Sequence, residues 1–329
     1  MKALLVRMIL GIDIAKRSMD VMLLKGKARL HAHFNNTPAG IAELCKWLRQ
    51  EQVRELHVCM EATNVYWEEV AEALYAAGYK VSVVNPRRIK GFGMSQMQRN
   101  KTDKADSDVI ASFCAATEPA GWQAPNETQR KMRALEQHRL DLKKNLVQHK
   151  NRQQTSKDVD VKASLQRLID NLEGELKAVE QQLADVAHQS KAMRERQQLL
   201  LSITGIGLKS AHVLLSLIYD MENYKDARAV AADAGVTPAH YESGTTVRKR
   251  PKFSKMGKAA VRGELHLPAM NAMRTNPILR TFAERLRAKG KPEPVIIGAV
   301  VRKLLHICYG VLKHKTPFDP NYGLKTSTA

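Results

Sequence analysis

Apolar residues in the first hundred positions fall in short unbroken runs separated by amphipathic stretches. "RMILGIDIAK" reads as a buried strand ending in a turn. "MDVMLLKG" and "ARLHAHFN" read as the second and third strands, with Gly26-Lys27 between them as a hairpin-like turn. Thr37 then opens an amphipathic helix, "AGIAELCKWLRQ". "ELHVCMEA" is a fourth strand, "VYWEEVAEALYAAG" a helix closed by Gly78, and "YKVSVVNP" a fifth strand ended by Pro86. The next helix is "NKTDKADSDVIASFC", with Thr102 as its N-cap. Three strands, then helix, strand, helix, strand and helix, predict a mixed sheet flanked by helices.

From about Asn126 to Glu195 strand signals vanish, and Gln, Lys, Arg, Glu and Leu dominate. Val161, Leu165, Leu168, Leu172, Leu176, Val179, Leu183 and Val186 recur at spacings of three and four. That seam predicts a helical hairpin or coiled coil, serving as a rigid spacer or for dimerisation. A second compact region begins after residue 196. "LLSITGIGLKSAHVLLSLI" places Gly205-Ile206-Gly207 between two apolar helical segments, as in a helix-hairpin-helix. Such a turn can be plain packing between helices. It can also bring backbone N–H groups to a phosphate at a helix N-terminus, with Lys209 alongside. "ARAVAADAGVTPAH" continues as helix and turn, helices follow to about Lys313, and a polar tail closes the chain.

Charge narrows the choice of partner. The 329 residues carry 53 Lys and Arg against 33 Asp and Glu, a formal net charge of +20, which points to a polyanion. Nucleic acid fits best; an anionic membrane surface is the alternative. Aromatic content of 5% argues against a base-stacking platform for single strands. Basic residues concentrate after Ser243: Arg248, Lys249, Arg250, Lys252, Lys255, Lys258 and Arg262, with no acid among them. The four cysteines show no CxxC spacing and read as reduced thiols, so neither zinc nor a disulfide frame is expected. Arg7 and Asp13 interrupt the apolar start, and no cleavage site follows, so no signal peptide is expected. No run was expected to approach the ~18 apolar residues of a membrane span, which makes a cytoplasmic, nucleoid-associated protein the expectation.

Against this basic background, Asp103, Asp106 and Asp108 stand within six residues. A helix turns about 100° per residue, so Asp103 and Asp106 share the face of Val109, Ile110 and Phe113, while Asp108 falls on the polar side. Acids in a first turn suit the helix dipole. Two core-facing carboxylates still need compensation, because burying an unpaired charge costs several kcal/mol or more. Asp13 and Glu61 each end an apolar strand. The predicted order is that of a ribonuclease-H-like sheet, in which the first and fourth strands are neighbours, so both carboxylates would meet at one sheet edge. Two Mg²⁺ about 3.5–4 Å apart would satisfy such a set, as in displacement at phosphorus. Ser243 precedes Gly244 in a loop ahead of the basic run; a Ser-Gly pair is ordinarily a turn, and a serine needs activation to be a nucleophile. Tyr241 is the competing hydroxyl.

"GIDIAK", "CMEAT", "NKTDKADSDVIASFC", "SITGIG" and "YESGTTVRKR…SKMGKAAVR" together resemble, in that order, the bacterial insertion-sequence recombinases of the IS-one-ten family. The resemblance runs from about residue 9 to residue 320. It implies an α/β ribonuclease-H or RuvC-like domain with a mixed sheet (1–122), joined through a helical coiled coil (123–195) to a mainly α transposase domain (196–320), with a tail at 321–329. It implies a metal-binding acidic tetrad of Asp13, Glu61, Asp103 and Asp106, and Ser243 as the catalytic serine. That serine would attack a DNA phosphodiester and form a covalent phosphoserine link, with Mg²⁺ at the acids and the two sites contributed by different protomers of a dimer or tetramer. A structured bridge RNA would choose donor and target DNA. Lys101, Lys104, Gly205, Gly207, Lys209 and the seven basic residues after Ser243 would then meet nucleic-acid backbone, since choice of sequence is delegated to RNA. The alternatives are a RuvC-like hydrolytic nuclease, such as a junction resolvase, in which Ser243 is structural, and a non-catalytic nucleic-acid scaffold.

Overall fold

The computed structural model describes residues 8–96, 102–218, 220–243, 247–254 and 256–322, with the side chains of 240–243 and 247–252 outside that description. The chain divides into two compact units, Met1–Ala124 and Pro125–Ala329.

In the first unit, β1 (Met8–Ile14), β2 (Ser18–Lys25), β3 (Ala28–Asn35), β4 (Leu56–Glu61) and β5 (Lys80–Val84) form one sheet in the order β3-β2-β1-β4-β5. β1 runs antiparallel to β2 and β2 to β3, whereas β1, β4 and β5 are parallel. Parallel neighbours need a crossover. α1 (Pro38–Gln50), which Thr37 caps through Gly40 N–H, and α2 (Glu68–Ala76) supply the two. The alternation of each strand separates two cores. Leu10, Ile12, Val21, Leu23 and Val58 meet Leu44, Leu48, Val70 and Leu74 of α1 and α2. On the other face Cys59 and Val84 meet Ile89 of α3 (Pro86–Ser95) and Ile110, Phe113 and Cys114 of α4 (Asp103–Thr117). α3 is not among the predicted helices: Pro86 ends the fifth strand and is also the first residue of a helix capped by Asn85.

The second unit holds α5 (Glu127–Thr155), α6 (Val159–Gln189), α7 (Lys191–Leu201), α8 (Leu208–Leu217), α9 (Ala227–Asp233), α10 (Ala259–Glu264), α11 (His266–Thr275), α12 (Pro277–Ala288) and α13 (Glu293–His314), with a hairpin of β6 (Pro238–Ser243) and β7 (Val247–Phe253). α5 and α6 fold back on each other: Gln153 bonds Gln166 at 2.8 Å and Lys150 pairs with Glu173 at 2.7 Å. Of the expected seam, Leu165, Val179, Leu183 and Val186 are buried, while Val161 and Leu168 are 48% and 46% exposed. β6 and β7 also depart from the expectation, since Ser243 ends one strand and Arg248, Lys249, Arg250 and Lys252 lie in the other rather than in a loop.

α13 is 22 residues long and apolar enough by length and composition to cross a membrane, contrary to the expectation of no such run. Ile296, Val300, Val301, Leu304, Leu305, Cys308 and Leu312 spend that apolarity on the helical core of this unit. All four cysteines are free; Cys59, Cys114 and Cys308 are buried and Cys45 is half-buried.

Candidate active site

β1 and β4 are adjacent and parallel, with Ile12 opposite Met60, so Asp13 and Glu61 follow at the same end of the sheet. The expected neighbour relation between first and fourth strands holds. Gly11 decides what covers them. A Cβ there would lie 2.8 Å from Ala111 Cα and closer still to the Ala111 nitrogen and Ser107 oxygen, so α4 rests directly on the β1 backbone. Its N-terminal turn therefore overhangs the end of β1. Thr102 caps that turn by accepting from Ala105 N–H at 3.2 Å.

The result is a carboxylate group: ligand oxygens of Asp13, Asp103 and Asp106 all lie within 4.8 Å of one another. Glu61 does not join them at that distance. It still feels them, because its carboxyl is pushed up by burial and then by the charges of Asp13 and Asp106. Asp13 is pushed up to about 6, first by burial, then by Asp106, Asp103 and Asp20. The neighbouring charges that push up Asp13 and Glu61 are an electrostatic repulsion that a cation relieves. The donor set is all carboxylate oxygen, which fits a hard divalent ion such as Mg²⁺ or Mn²⁺.

One detail differs from the helical-wheel reading. Asp103 is exposed and Asp106 half-buried, because they precede the packed part of α4, whose buried face is Ser107, Ile110, Ala111, Phe113 and Cys114. Asp108 stays off that buried face, as the wheel places it, and is half-buried. It pairs with Arg29 of β3 and ties α4 to the sheet edge.

Three residues that sequence reasoning passed over lie beside the group. Asp20, 8% exposed, is directly opposite Asp13 on β2 and accepts from His31 Nε2 at 2.9 Å and His33 Nδ1 at 3.0 Å. The signal was an acid inside an apolar strand and a His-x-His alternation on the next. Asn36 also went unnoticed. Its amide donates to Ala15 O at 3.0 Å and Tyr66 O at 3.1 Å, holding together the loops that follow β1 and β4.

The other expected contact residues have mixed surroundings. Lys104 is exposed on α4, and Lys101 lies outside the described residues. Gly205, at φ +104°, would carry a Cβ 2.9 Å from Ala272 Cα, so it is a packing glycine; around Gly207, the N-cap of α8, a Cβ would meet open space. Lys209 pairs with Glu180 at 2.7 Å. Lys258 pairs with Asp233 at 2.7 Å, and Arg262 donates to Ala234 O at 3.2 Å, so both tie the start of α10 to the end of α9. Ser243 ends β6 opposite Val247, with Tyr241 opposite Lys249 and Glu242 opposite Arg248. The side chains of Ser243, Tyr241, Arg248, Lys249, Arg250 and Lys252, and all of Lys255, lie outside the described residues.

Residues 10–156 match a family model described as a DEDD transposase, and residues 197–284 match that of the transposase IS116/IS110/IS902 family. Pilin gene-inverting proteins of Moraxella lacunata and Moraxella bovis are each 31% identical over 313 residues, covering 94% of this chain and 97% of theirs. The chain belongs to the IS110 family of transposases. This IS110-family enzyme is also similar to a probable family 20 transposase of Pseudomonas aeruginosa, at 22% identity over 94% of this chain and 98% of that one. RuvC of T. thermophilus, in complex with Holliday junction substrate, aligns with 35% of this chain and 98% of its own at 14% identity and a TM-score of 0.27.

Proposed function

We propose that this transposase cuts and rejoins DNA strands for a bacterial insertion sequence, with Ser243 as nucleophile and a divalent cation held by Asp13, Asp103 and Asp106, with Glu61 close by. The observation that carries the reading is the meeting of Asp13 of β1 with Asp103 and Asp106 of α4, far apart in the chain, within 4.8 Å, inside the span matched by the transposase model. Bound there, Mg²⁺ supplies charge neutralisation and activation at phosphorus. The chain's own work is to hold that cation, to offer the Ser243 hydroxyl, and to grip the DNA backbone with the basic strand β7. Partners in this reading are donor and target DNA, a structured bridge RNA that selects both, and further copies of the chain in a dimer or tetramer, with the acids of one copy serving the serine of another. It would act in the cytoplasm on the nucleoid.

The test is strand exchange by the full chain with DNA of its own element and the RNA transcribed beside its gene. Ser243→Ala should abolish exchange and the covalent protein–DNA adduct while leaving DNA binding within about threefold. Cutting that persists in this variant would instead indicate a hydrolytic nuclease. Asp13→Ala should lose the chemistry yet keep the fold, and full activity in the presence of a chelator would remove the metal from the account.

A further inference from the structure

Asp20 and its two histidines form a cluster that the family's acidic tetrad does not use. A buried carboxylate needs donors, and His31, with 26% of its side chain exposed, supplies one to Oδ1. His33 differs: 57% of its side chain is exposed, so its bond to Oδ2 brings it little shelter. Contact of Nδ1 with an ionised carboxylate requires a proton on Nδ1. Nε2 is then the working nitrogen, and it has no hydrogen-bond partner among the described residues. This is the carboxylate–imidazole arrangement that fixes tautomer and ring orientation and stabilises the imidazolium.

Position gives the pair its use. Asp13, Asp20 and His33 stand opposite one another on β1, β2 and β3, in one row across three strands. Directly opposed residues of antiparallel strands project from the same face, which is the face covered by α4 and bearing the acids. Strands lie about 4.8 Å apart, so the backbone of His33 is roughly 10 Å from that of Asp13. A phosphodiester drawn to the acids would lie within reach of the imidazole.

We propose that His33, oriented by Asp20, is a catalytic acid–base residue of strand transfer, a step that rests on the serine reading above. As the Ser243 Oγ–P bond forms and the P–O bond to the departing strand breaks, His33 gives its Nε2 proton to the leaving oxygen. The serine proton passes to solvent. His33 is left neutral with Nδ1–H still on Asp20, and when the strands rejoin in reverse it takes the proton back from the attacking hydroxyl. One residue thus serves cutting and joining, as recombination requires.

The decisive probe is a duplex of the element's own end in which sulfur replaces the bridging oxygen at the scissile phosphate, made in both 3′ and 5′ forms. A thiolate leaves without protonation. The full chain, with its adjoining RNA and Mg²⁺, is assayed for covalent adduct in single turnover. His33→Gln should slow adduct formation on the all-oxygen duplex by about 10²–10⁴-fold and recover to within about tenfold of wild type on one sulfur duplex. Asp20→Asn should show the same recovery with a smaller defect, because the amide can no longer select Nδ1–H. Asp13→Asn should not recover with sulfur. His33→Gln at the wild-type rate, or a defect of equal size on oxygen and sulfur, would overturn the assignment. A His33→Asn variant, with circular dichroism of each protein, separates misfolding from chemistry. Failure of the serine reading itself shows differently, as no adduct from wild type on any duplex.

Discussion

Asp13 joins the fold and the chemistry at a single residue. Its raised pKa means that the folded, metal-free protein prefers the proton there. A carboxyl raised in this way favours folding fully below its ordinary value of 3.8, and that contribution is lost as pH rises through about 6. Asp13→Asn removes the charge at every pH. With chelator present, the variant should therefore melt above wild type at pH 7.5, and the gap should close as pH falls through 6; thermal melts of the two proteins check this. Adding Mg²⁺ at pH 7.5 should raise the melting temperature of wild type and not that of the variant. Gly11 is the other informative residue. Gly11→Ala places a methyl group against the α4 backbone, which cannot turn aside as a side chain could. The expected cost is about 3 kcal/mol, with loss of the Mg²⁺-induced rise in melting temperature because the Asp103 and Asp106 turn is pushed away.

Elements of the second unit are held by one buried charge network as well as by apolar packing. Arg139 of α5 bonds Glu136 at 2.8 Å and reaches Glu264 of α10 at 2.9 Å, where Lys143 also binds at 2.7 Å. Burial pushes the Glu136 carboxyl up despite its bonds to Arg139, whereas burial of Glu264 is outweighed by Lys143 and Arg139, which hold it below its usual value. Removing the shared cation leaves Glu136 buried without a partner. Arg139→Ala should cost about 3–5 kcal/mol, measured by urea unfolding. The α5–α6 hairpin gives a graded comparison. Leu183, 1% exposed, should cost about 2–5 kcal/mol on truncation to Ala. Leu168→Ala should leave stability within about 0.5 kcal/mol. A change in sedimentation on Leu168→Ala would show that the exposed part of the seam pairs between copies of the chain.

Charge is distributed unevenly over the whole molecule. Residues 1–124 hold 17 Lys and Arg against 13 Asp and Glu, which leaves 36 against 20 in residues 125–329. The unit with the acidic group is thus close to neutral, and the unit with Ser243 and β7 carries most of the surplus. Backbone binding should reside chiefly in the second unit and weaken steeply with salt. With six or more phosphates neutralised, affinity for duplex DNA should drop roughly 10³-fold or more between 50 and 200 mM salt, as titration by fluorescence anisotropy would show. Charge reversal at Lys104 should change that slope far less than changes on β7.

The order of the five strands was legible in the sequence because each strand's burial is a local pattern of short apolar runs, and the turns between them are marked by Gly, Pro and Thr. The caps at Thr37 and Thr102 were legible for the same reason, since a side-chain oxygen and a nearby backbone N–H lie within four residues. Asp13, Glu61, Asp103 and Asp106 could be named as candidates, but their distances could not, because convergence depends on Gly11 letting α4 lie on β1. The wheel put Asp108 off the buried face but not beside its partner Arg29, because it records angle and not what stands opposite. Asp20 and its histidines escaped notice because strand register, not sequence spacing, sets them beside Asp13. Periodicity along a chain fixes which face of an element is buried; only packing between elements decides which charged groups meet across it.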